Sequence, residues 1–176
     1  AVVLVHPSMA ASTLQELVTT FKPQPGKYNF GSGGPGSLLQ LYGEMFKQAA
    51  GVDIQHVPYK GSIEATSALM ANQVDVVFQL ASANVAQQIN TGKLKGLAAS
   101  APHRIPTLPN IPTTAQAGLP SFQAGAWYGF FAPAGLSPAI VEKINRDIAQ
   151  VLAMPDVRDR MASLGLTVES GSAADF

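Results

Sequence analysis

The chain of 176 residues contains no cysteine. Disulfides and thiolate metal sites are therefore excluded, and any redox compartment is allowed, an oxidising one included. Charge is also scarce. Asp, Glu, Lys and Arg make up 12% of the chain, against about 25% in an average globular domain. The 11 basic and 11 acidic residues cancel, so the chain lacks the basic field that nucleic-acid binders carry, and no nucleic-acid partner is expected. No run of about 18 apolar residues occurs, so no membrane-embedded segment is expected. The first residues lack the charged region of a signal peptide. His6, His56 and His103 stand far apart, and none has a second histidine or carboxylate at metal-ligand spacing. Neither a metal nor a cofactor is expected.

What is present is a substantial apolar fraction, 47%, enough to build a core for one domain, or for one domain and part of another. The most informative stretch is Tyr28-Asn29-Phe30-Gly31-Ser32-Gly33-Gly34-Pro35-Gly36-Ser37. It reads as a short strand, a glycine-rich turn and the start of a helix. Glycines let the backbone turn tightly and approach a ligand closely, and Pro35 suits a first helical position. Leu38, Leu41, Tyr42, Met45, Phe46 and Ala49 then recur at helical spacing, predicting an amphipathic helix that Gly51 closes. A helix start of this kind presents unpaired N–H groups and the positive end of the helix dipole, so it can seat an anion. The plain alternative is a tight strand-to-helix connection and nothing more. No lysine follows the glycines in the phosphate-loop pattern, which argues against a nucleotide.

The rest of the chain continues in the same rhythm. Residues 2–5 are an apolar run that suits a strand buried on both faces. Ser12 and Gln15 form a capping-box pattern before a helix that Pro23 and Pro25 end. Residues 52–59 alternate as a strand. Ser62 is the expected N-cap of a short helix over 63–71. Residues 74–79 predict a strand, 82–90 a helix and 94–99 another strand. This order indicates a parallel sheet with helices on its faces. Five prolines between residues 102 and 120 predict an ordered wrapping loop with one short helix over 113–117. The aromatic segment around Trp127-Tyr128-Gly129-Phe130-Phe131 marks a crossing into a second unit. Ser137-Pro138 opens a long helix, a further helix spans 156–164, and residues 166–168 predict a strand. The beginning inside a strand and the end at a cut helical turn are expected of a fragment of a longer protein.

Among chemical candidates, His6 and His56 fall in strands and read as structural, and Glu44 with Lys47 reads as a surface pair. Asp75 is expected to start a strand and to bond locally. Ligands bind at the carboxyl ends of the strands in open parallel sheets. Three such ends carry donors: Ser32, Gly33, Gly34, Pro35, Gly36 and Ser37 at the first, Tyr59, Lys60 and Gly61 at the second, and Gln79 and Ser82 at the third. Lys60 adds a cation. No general base or activated nucleophile stands among them. A row of donors without a base suits binding of a carboxylate rather than a reaction, so no catalytic residue is assigned.

Several segments, in order, resemble the substrate-binding proteins of tripartite tricarboxylate transporters, the Bug-type receptors. They are Ser32-Gly33-Gly34-Pro35-Gly36-Ser37-Leu38, Gly43-Glu44-Met45-Phe46, Val57-Pro58-Tyr59-Lys60-Gly61, Gln73-Val74-Asp75-Val76, Lys93-Leu94-Lys95-Gly96-Leu97-Ala98, Leu108-Pro109-Asn110-Ile111-Pro112-Thr113, Ala117-Gly118 and Trp127-Tyr128-Gly129-Phe130-Phe131-Ala132-Pro133. The resemblance implies a periplasmic binding protein-like α/β fold. Residues 1–125 would be a complete parallel-sheet lobe with helices on both faces, and residues 126–176 part of a second α/β lobe. It implies a periplasmic receptor that closes on a small carboxylate and delivers it to membrane transporter subunits. Leu38 stands where the family often has histidine, and Gln79 where an aspartate often ends the third strand. Two alternatives differ in class: a ligand-sensing domain of a signalling or transcription regulator, and an ester hydrolase. Turnover of a carboxylate ester that is lost on changing Ser32 or Ser37 to Ala would favour the hydrolase. A truncated second lobe would also expose apolar surface over residues 140–152, which could pair chains.

Overall fold

The computed structural model describes residues 1–175. It divides into two compact units, residues 1–126 and 127–176. The first unit is built on five strands: β1 (Val2–Val5), β2 (Asn29–Ser32), β3 (Gln55–Pro58), β4 (Val76–Gln79) and β5 (Lys95–Ala99). Between them run α1 (Leu14–Phe21), α2 (Leu38–Ala50), α3 (Ser62–Met70) and α4 (Ala83–Asn90). The strands lie in the order β3-β2-β4-β1-β5.

The α/β class is as expected, with one difference in the sheet. β2 pairs in parallel with β3 and β4, but β1 runs antiparallel to both β4 and β5. β5 therefore points the same way as β4, and β1 alone is reversed. A strand buried on both faces reads as a continuous apolar run whichever way it points, so its direction leaves no mark in the sequence.

Alternation along β1 divides the core. Val3 and Val5 face one side with α1 and α2, while Val2 and Leu4 face the other with α3 and α4. Phe30, Phe46, Phe78 and Phe122 are all fully buried and meet edge-on or tilted at 5.2–6.1 Å between centroids. Each aromatic ring of this size contributes a few kcal/mol of burial, about 1.5–3 for Phe.

Helix boundaries shift by a residue at several caps. α1 is capped by Thr13, whose hydroxyl accepts the Glu16 N–H at 3.1 Å, while the Glu16 carboxylate accepts the Ser12 N–H at 2.7 Å. The cap is thus Thr13 with Glu16, not Ser12 with Gln15. α2 begins after Ser37, and Pro35 lies in the preceding turn rather than at the first helical position. Ser37 N–H closes that turn on Gly34 O at 3.1 Å, with Gly36 at φ +76°. Pro followed by a left-handed glycine is the type II arrangement.

The buried stripe of α2 is Leu39, Tyr42, Gly43, Phe46 and Ala50, and Leu41 is exposed. Gly43 sets this rotation. A Cβ there would lie 2.1 Å from Phe30 Cε2, so the helix comes against the ring only along its glycine. Gly51 closes α2 in the left-handed conformation, φ 63° and ψ 43°, as expected.

Ser62 is the first residue of α3, and the N-cap is Gly61. Residues 113–117 form a single turn, closed by Ala117 N–H on Thr113 O at 2.8 Å, rather than a helix. Thr113 bridges in parallel to Ala99, and that pairing with β5 uses the backbone that would start a helix. The side chain of Glu44 meets Lys47 at 3.1 Å, the expected surface pair.

In the second unit, α5 (Pro138–Ala153) and α6 (Pro155–Ser163) each begin with proline in the first turn. Neither helix buries a residue, and Ile140, Ile144 and Val151 are exposed. Residues 166–168 form no strand. The Leu166 N–H closes instead on Met161 O at 3.0 Å, at the end of α6, and a strand exists only by pairing.

Candidate functional site

The parallel strands bring three connections to one edge. The turns after β2, β3 and β4 lie side by side because those strands are neighbours. α2 leaves β2 towards one face of the sheet and α4 leaves β4 towards the other. Adjacent strands whose helices diverge in this way open a crevice at their carboxyl ends, where ligands bind in α/β sheets. β1 points the opposite way, so the hollow lined by Ala10, Thr13, Gln15 and Thr20 belongs to elements that start at the other edge.

Glycine is required in the first turn. Gly34 has φ +112°, and a Cβ would stand 3.0 Å from Tyr59 O; one at Gly33 would stand 3.3 Å from Ser62 N. The first turn thus packs directly against the second. Several of its amides are already used. Gly34 N–H donates to Ser32 Oγ at 3.1 Å, Gly36 N–H to Gln40 Oε1 at 2.7 Å and Ser37 N–H to Gly34 O at 3.1 Å. Gln40 N–H donates to Ser37 Oγ at 3.3 Å. The N–H groups of Gly33, Leu38 and Leu39 take no partner among the described residues. The open donors are therefore narrower than the whole 32–37 stretch.

Ser32 is fully buried. Its hydroxyl lies 2.5 Å from His56 Nε2 and 3.3 Å from Gly34 O. The His56 ring stacks on Phe30 at 5.0 Å. A serine beside a histidine invites comparison with a nucleophile and its base. Here the hydroxyl has no exposure to a substrate, so the pair braces the loop. Sequence spacing did not connect these two residues, because the contact arises from the pairing of β2 with β3, Phe30 beside His56.

In the second turn, the Tyr59 carbonyl occupies the space beside Gly34 and its ring packs on the core cluster beneath α3. Lys60 is exposed, and its N–H donates to the Glu64 carboxylate at 3.1 Å. Gly61 has no side chain to cap α3. The N–H groups of Ser62, Ile63 and Glu64 accordingly have no acceptor among the described residues. This is the most open helix start of the three.

In the third turn, Ser82 caps α4 by accepting Val85 N–H at 3.3 Å, and the Ala83 and Asn84 amides stay open among the described residues. Gln79 is spent internally. Its amide nitrogen donates to Ser62 O at 3.1 Å and Thr66 Oγ1 at 2.9 Å, and its oxygen accepts Leu80 N–H at 3.2 Å. The side chain expected to offer a donor to a ligand instead ties β4 to the first turn of α3.

Asp75 lies at the opposite edge. Its carboxylate accepts Asn29 N–H at 2.8 Å, and Asn29 Oδ1 accepts Asp75 N–H at 3.2 Å. The expected local bond is thus a cross-strand exchange between β4 and β2. Burial pushes the Asp75 carboxyl above its ordinary pKa, against the opposing pull of the Asn29 bond and Lys27.

Among the described residues no group of three or more histidine or carboxylate side chains could hold a metal ion. No helix among them is long and apolar enough to cross a membrane. What remains is an edge with backbone N–H groups at three helix starts, suited to holding an anion.

A family model for the receptor of the tripartite tricarboxylate transporter family matches residues 1–176. The chain is 32% identical over 166 residues to protein BugT of Bordetella pertussis, covering 94% of this chain and 51% of BugT. It superposes on MatC from Rhodopseudomonas palustris with bound malate at a TM-score of 0.81 and 33% identity, covering 93% of this chain and 55% of that one. An R. palustris protein solved with adipate gives a TM-score of 0.83 and 27% identity, with 99% and 58% coverage. The chain spans about half the length of most of the curated relatives it matches, 47%, 44% and 51% in three of them, and 83% of one shorter relative.

Proposed function

Because the chain belongs to the tripartite tricarboxylate transporter receptor family, we propose that it is the ligand-holding part of a periplasmic receptor. That receptor captures a small carboxylate and passes it to membrane transporter subunits. The observation that carries this reading is the row of open N–H groups: Gly33, Leu38 and Leu39 after β2, Ser62, Ile63 and Glu64 after β3, Ala83 and Asn84 after β4. A carboxylate has about four acceptor positions on two oxygens, and charge-assisted bonds to backbone N–H groups are about twice as strong as neutral ones. Exposed Lys60 beside the second turn adds long-range attraction for an anion. The malate and adipate bound in the two solved relatives favour the same ligand class.

In this account residues 1–125 form one lobe and residues 126–176 belong to a second. The compact units divide at residue 126, which supports that boundary. The backbone nitrogen of Ala1 donates to Ala124 O at 2.9 Å, which ties β1 to the last residues of the first unit. Closure follows from differential affinity: a ligand that gains donors only when the lobes meet shifts the population to the closed form. No bond is made or broken in this cycle, and buried Ser32 is no nucleophile.

The test is a thermal-shift screen of mono-, di- and tricarboxylates, with sugars and cationic amines alongside. A ligand at about 100 times its Kd adds roughly 2.7 kcal/mol to stability. Stabilisation by one or more carboxylates is expected. Response only to sugars or amines would overturn the assignment.

A further inference from the structure

We infer that His56 is a positioning residue for the ligand loop: acting through Ser32, it fixes where the Gly33 amide stands against the open start of α3. The inference rests on the receptor reading above and goes one step beneath it. Phe30 and Ser32 lie two residues apart on β2 and share a face. His56, paired with Phe30 on β3, stacks on that ring and reaches Ser32.

The Ser32 hydroxyl lies 2.5 Å from His56 Nε2 and 3.3 Å from Gly34 O. In the proposed arrangement His56 is the tautomer protonated on Nδ1, in which Nε2 accepts. The shorter contact takes the proton, which leaves an oxygen lone pair for the Gly34 N–H at 3.1 Å. His56 thereby orients the hydroxyl that holds Gly34. Gly34 in turn sits against Tyr59 O, and Gly33 against Ser62 N. Without a partner at residue 56, the hydroxyl is free to rotate, its lone pair is no longer held towards the Gly34 N–H, and that bond weakens. The Gly33 amide, open for a ligand, then loses its fixed distance from the amides of α3. His56 touches no ligand in this scheme.

Three variants of the full chain test it: His56→Phe, which keeps a flat ring over Phe30; His56→Gln, which restores a hydrogen-bonding tip; and Ser32→Ala. Two readouts are needed, hydrogen exchange of the Gly34 amide by NMR, and titration with malate and with adipate. His56→Phe is expected to speed Gly34 exchange and to weaken carboxylate binding, each by about tenfold, the scale of one net hydrogen bond. Ser32→Ala is expected to reproduce both effects, and it carries the test if His56→Phe does not fold. His56→Gln is expected to stay within about threefold of the parent on both, well under the 1.4 kcal/mol of a tenfold change.

Unchanged Gly34 exchange in a folded His56→Phe overturns the inference even if Ser32→Ala responds, and so does unchanged exchange in Ser32→Ala. So does a binding loss in His56→Gln equal to that in His56→Phe, since a merely structural role would not be rescued. If the parent binds neither acid while Gly34 exchange responds as stated, malate and adipate are excluded as ligands, the carboxylate screen above decides the ligand class, and the hold of His56 on the loop stands.

Discussion

Substituting Gly43 by alanine sets two effects of known size against each other. Glycine inside an exposed helix costs about 0.8–1.0 kcal/mol relative to alanine, so helix propensity alone calls for a gain. The structure calls for a loss. The added Cβ would lie 2.1, 2.4 and 2.5 Å from three atoms of the Phe30 ring, so ring and helix must separate by about 1.5 Å to reach ordinary contact distances. The ring cannot yield freely. It is fully buried, stacked on His56 at 5.0 Å and edge-on to Phe78 at 6.1 Å. Overpacking of this kind typically costs 1–3 kcal/mol, occasionally more. Three overlapping atoms against a braced ring place it at the upper end, so the net is a loss of about 2 kcal/mol. At roughly 2–4 °C per kcal/mol for a chain of this size, Tm falls by about 4–8 °C. Thermal unfolding followed by circular dichroism reads this directly. An unchanged or raised Tm in Gly43→Ala would mean that α2 does not rest on Phe30 as described. The rotation of its buried stripe would then need another cause.

Further outcomes follow from the same geometry. Asp75→Ala leaves the Asn29 N–H without its acceptor and should cost about 1–3 kcal/mol in urea unfolding, whereas Asp75→Asn keeps an acceptor and should cost less. The Asp75 carboxyl titrates above its ordinary range in the folded protein, chiefly through desolvation. Its charged form therefore weakens the fold, and stability is lost as pH rises through the folded pKa. The stability of Asp75→Asn relative to the parent should rise from pH 3 to pH 7, and a flat difference would refute the shift. Ser37→Ala removes the acceptor for Gln40 N–H at the start of α2 and should cost about 1 kcal/mol. Gln79→Ala should destabilise the first unit by unpairing Thr66 and Ser62 and should not abolish carboxylate binding. Complete loss of binding at unchanged stability would show that Gln79 touches the ligand after all.

How far the sequence foretold this fold depends on which signal each element carries. α2 and its Gly51 cap were legible because apolar spacing and a terminal glycine are local signals. The reversed direction of β1 was not, since Val2 to Val5 look alike from either end. The one-residue rotation of α2 arises from a close approach between Gly43 and Phe30, thirteen positions apart in sequence and invisible to periodicity. At the site, the strand ends and their glycines could be placed from pattern alone. Which amides stay open could not, because that is decided by Ser32, Gln40 and Ser37 taking particular N–H groups. The contact of His56 with Ser32, and the capture of Gln79 by Thr66, depend on strand pairing and helix docking across the sheet. Only the strand-exchange logic of Asn29 with Asp75 had a clue in the sequence, two short polar side chains at the starts of neighbouring strands.

The central claim is that backbone N–H groups at the carboxyl edge of β2, β3 and β4 hold a carboxylate. NMR titration of the amide-labelled protein with malate and adipate tests it most directly. The account predicts that the largest shifts fall on Gly33, Leu38, Leu39, Ser62, Ile63 and Ala83, with little change at Asp75 or at the start of α1. Binding that leaves those amides unmoved while shifting residues around Thr13 and Thr20 would contradict it.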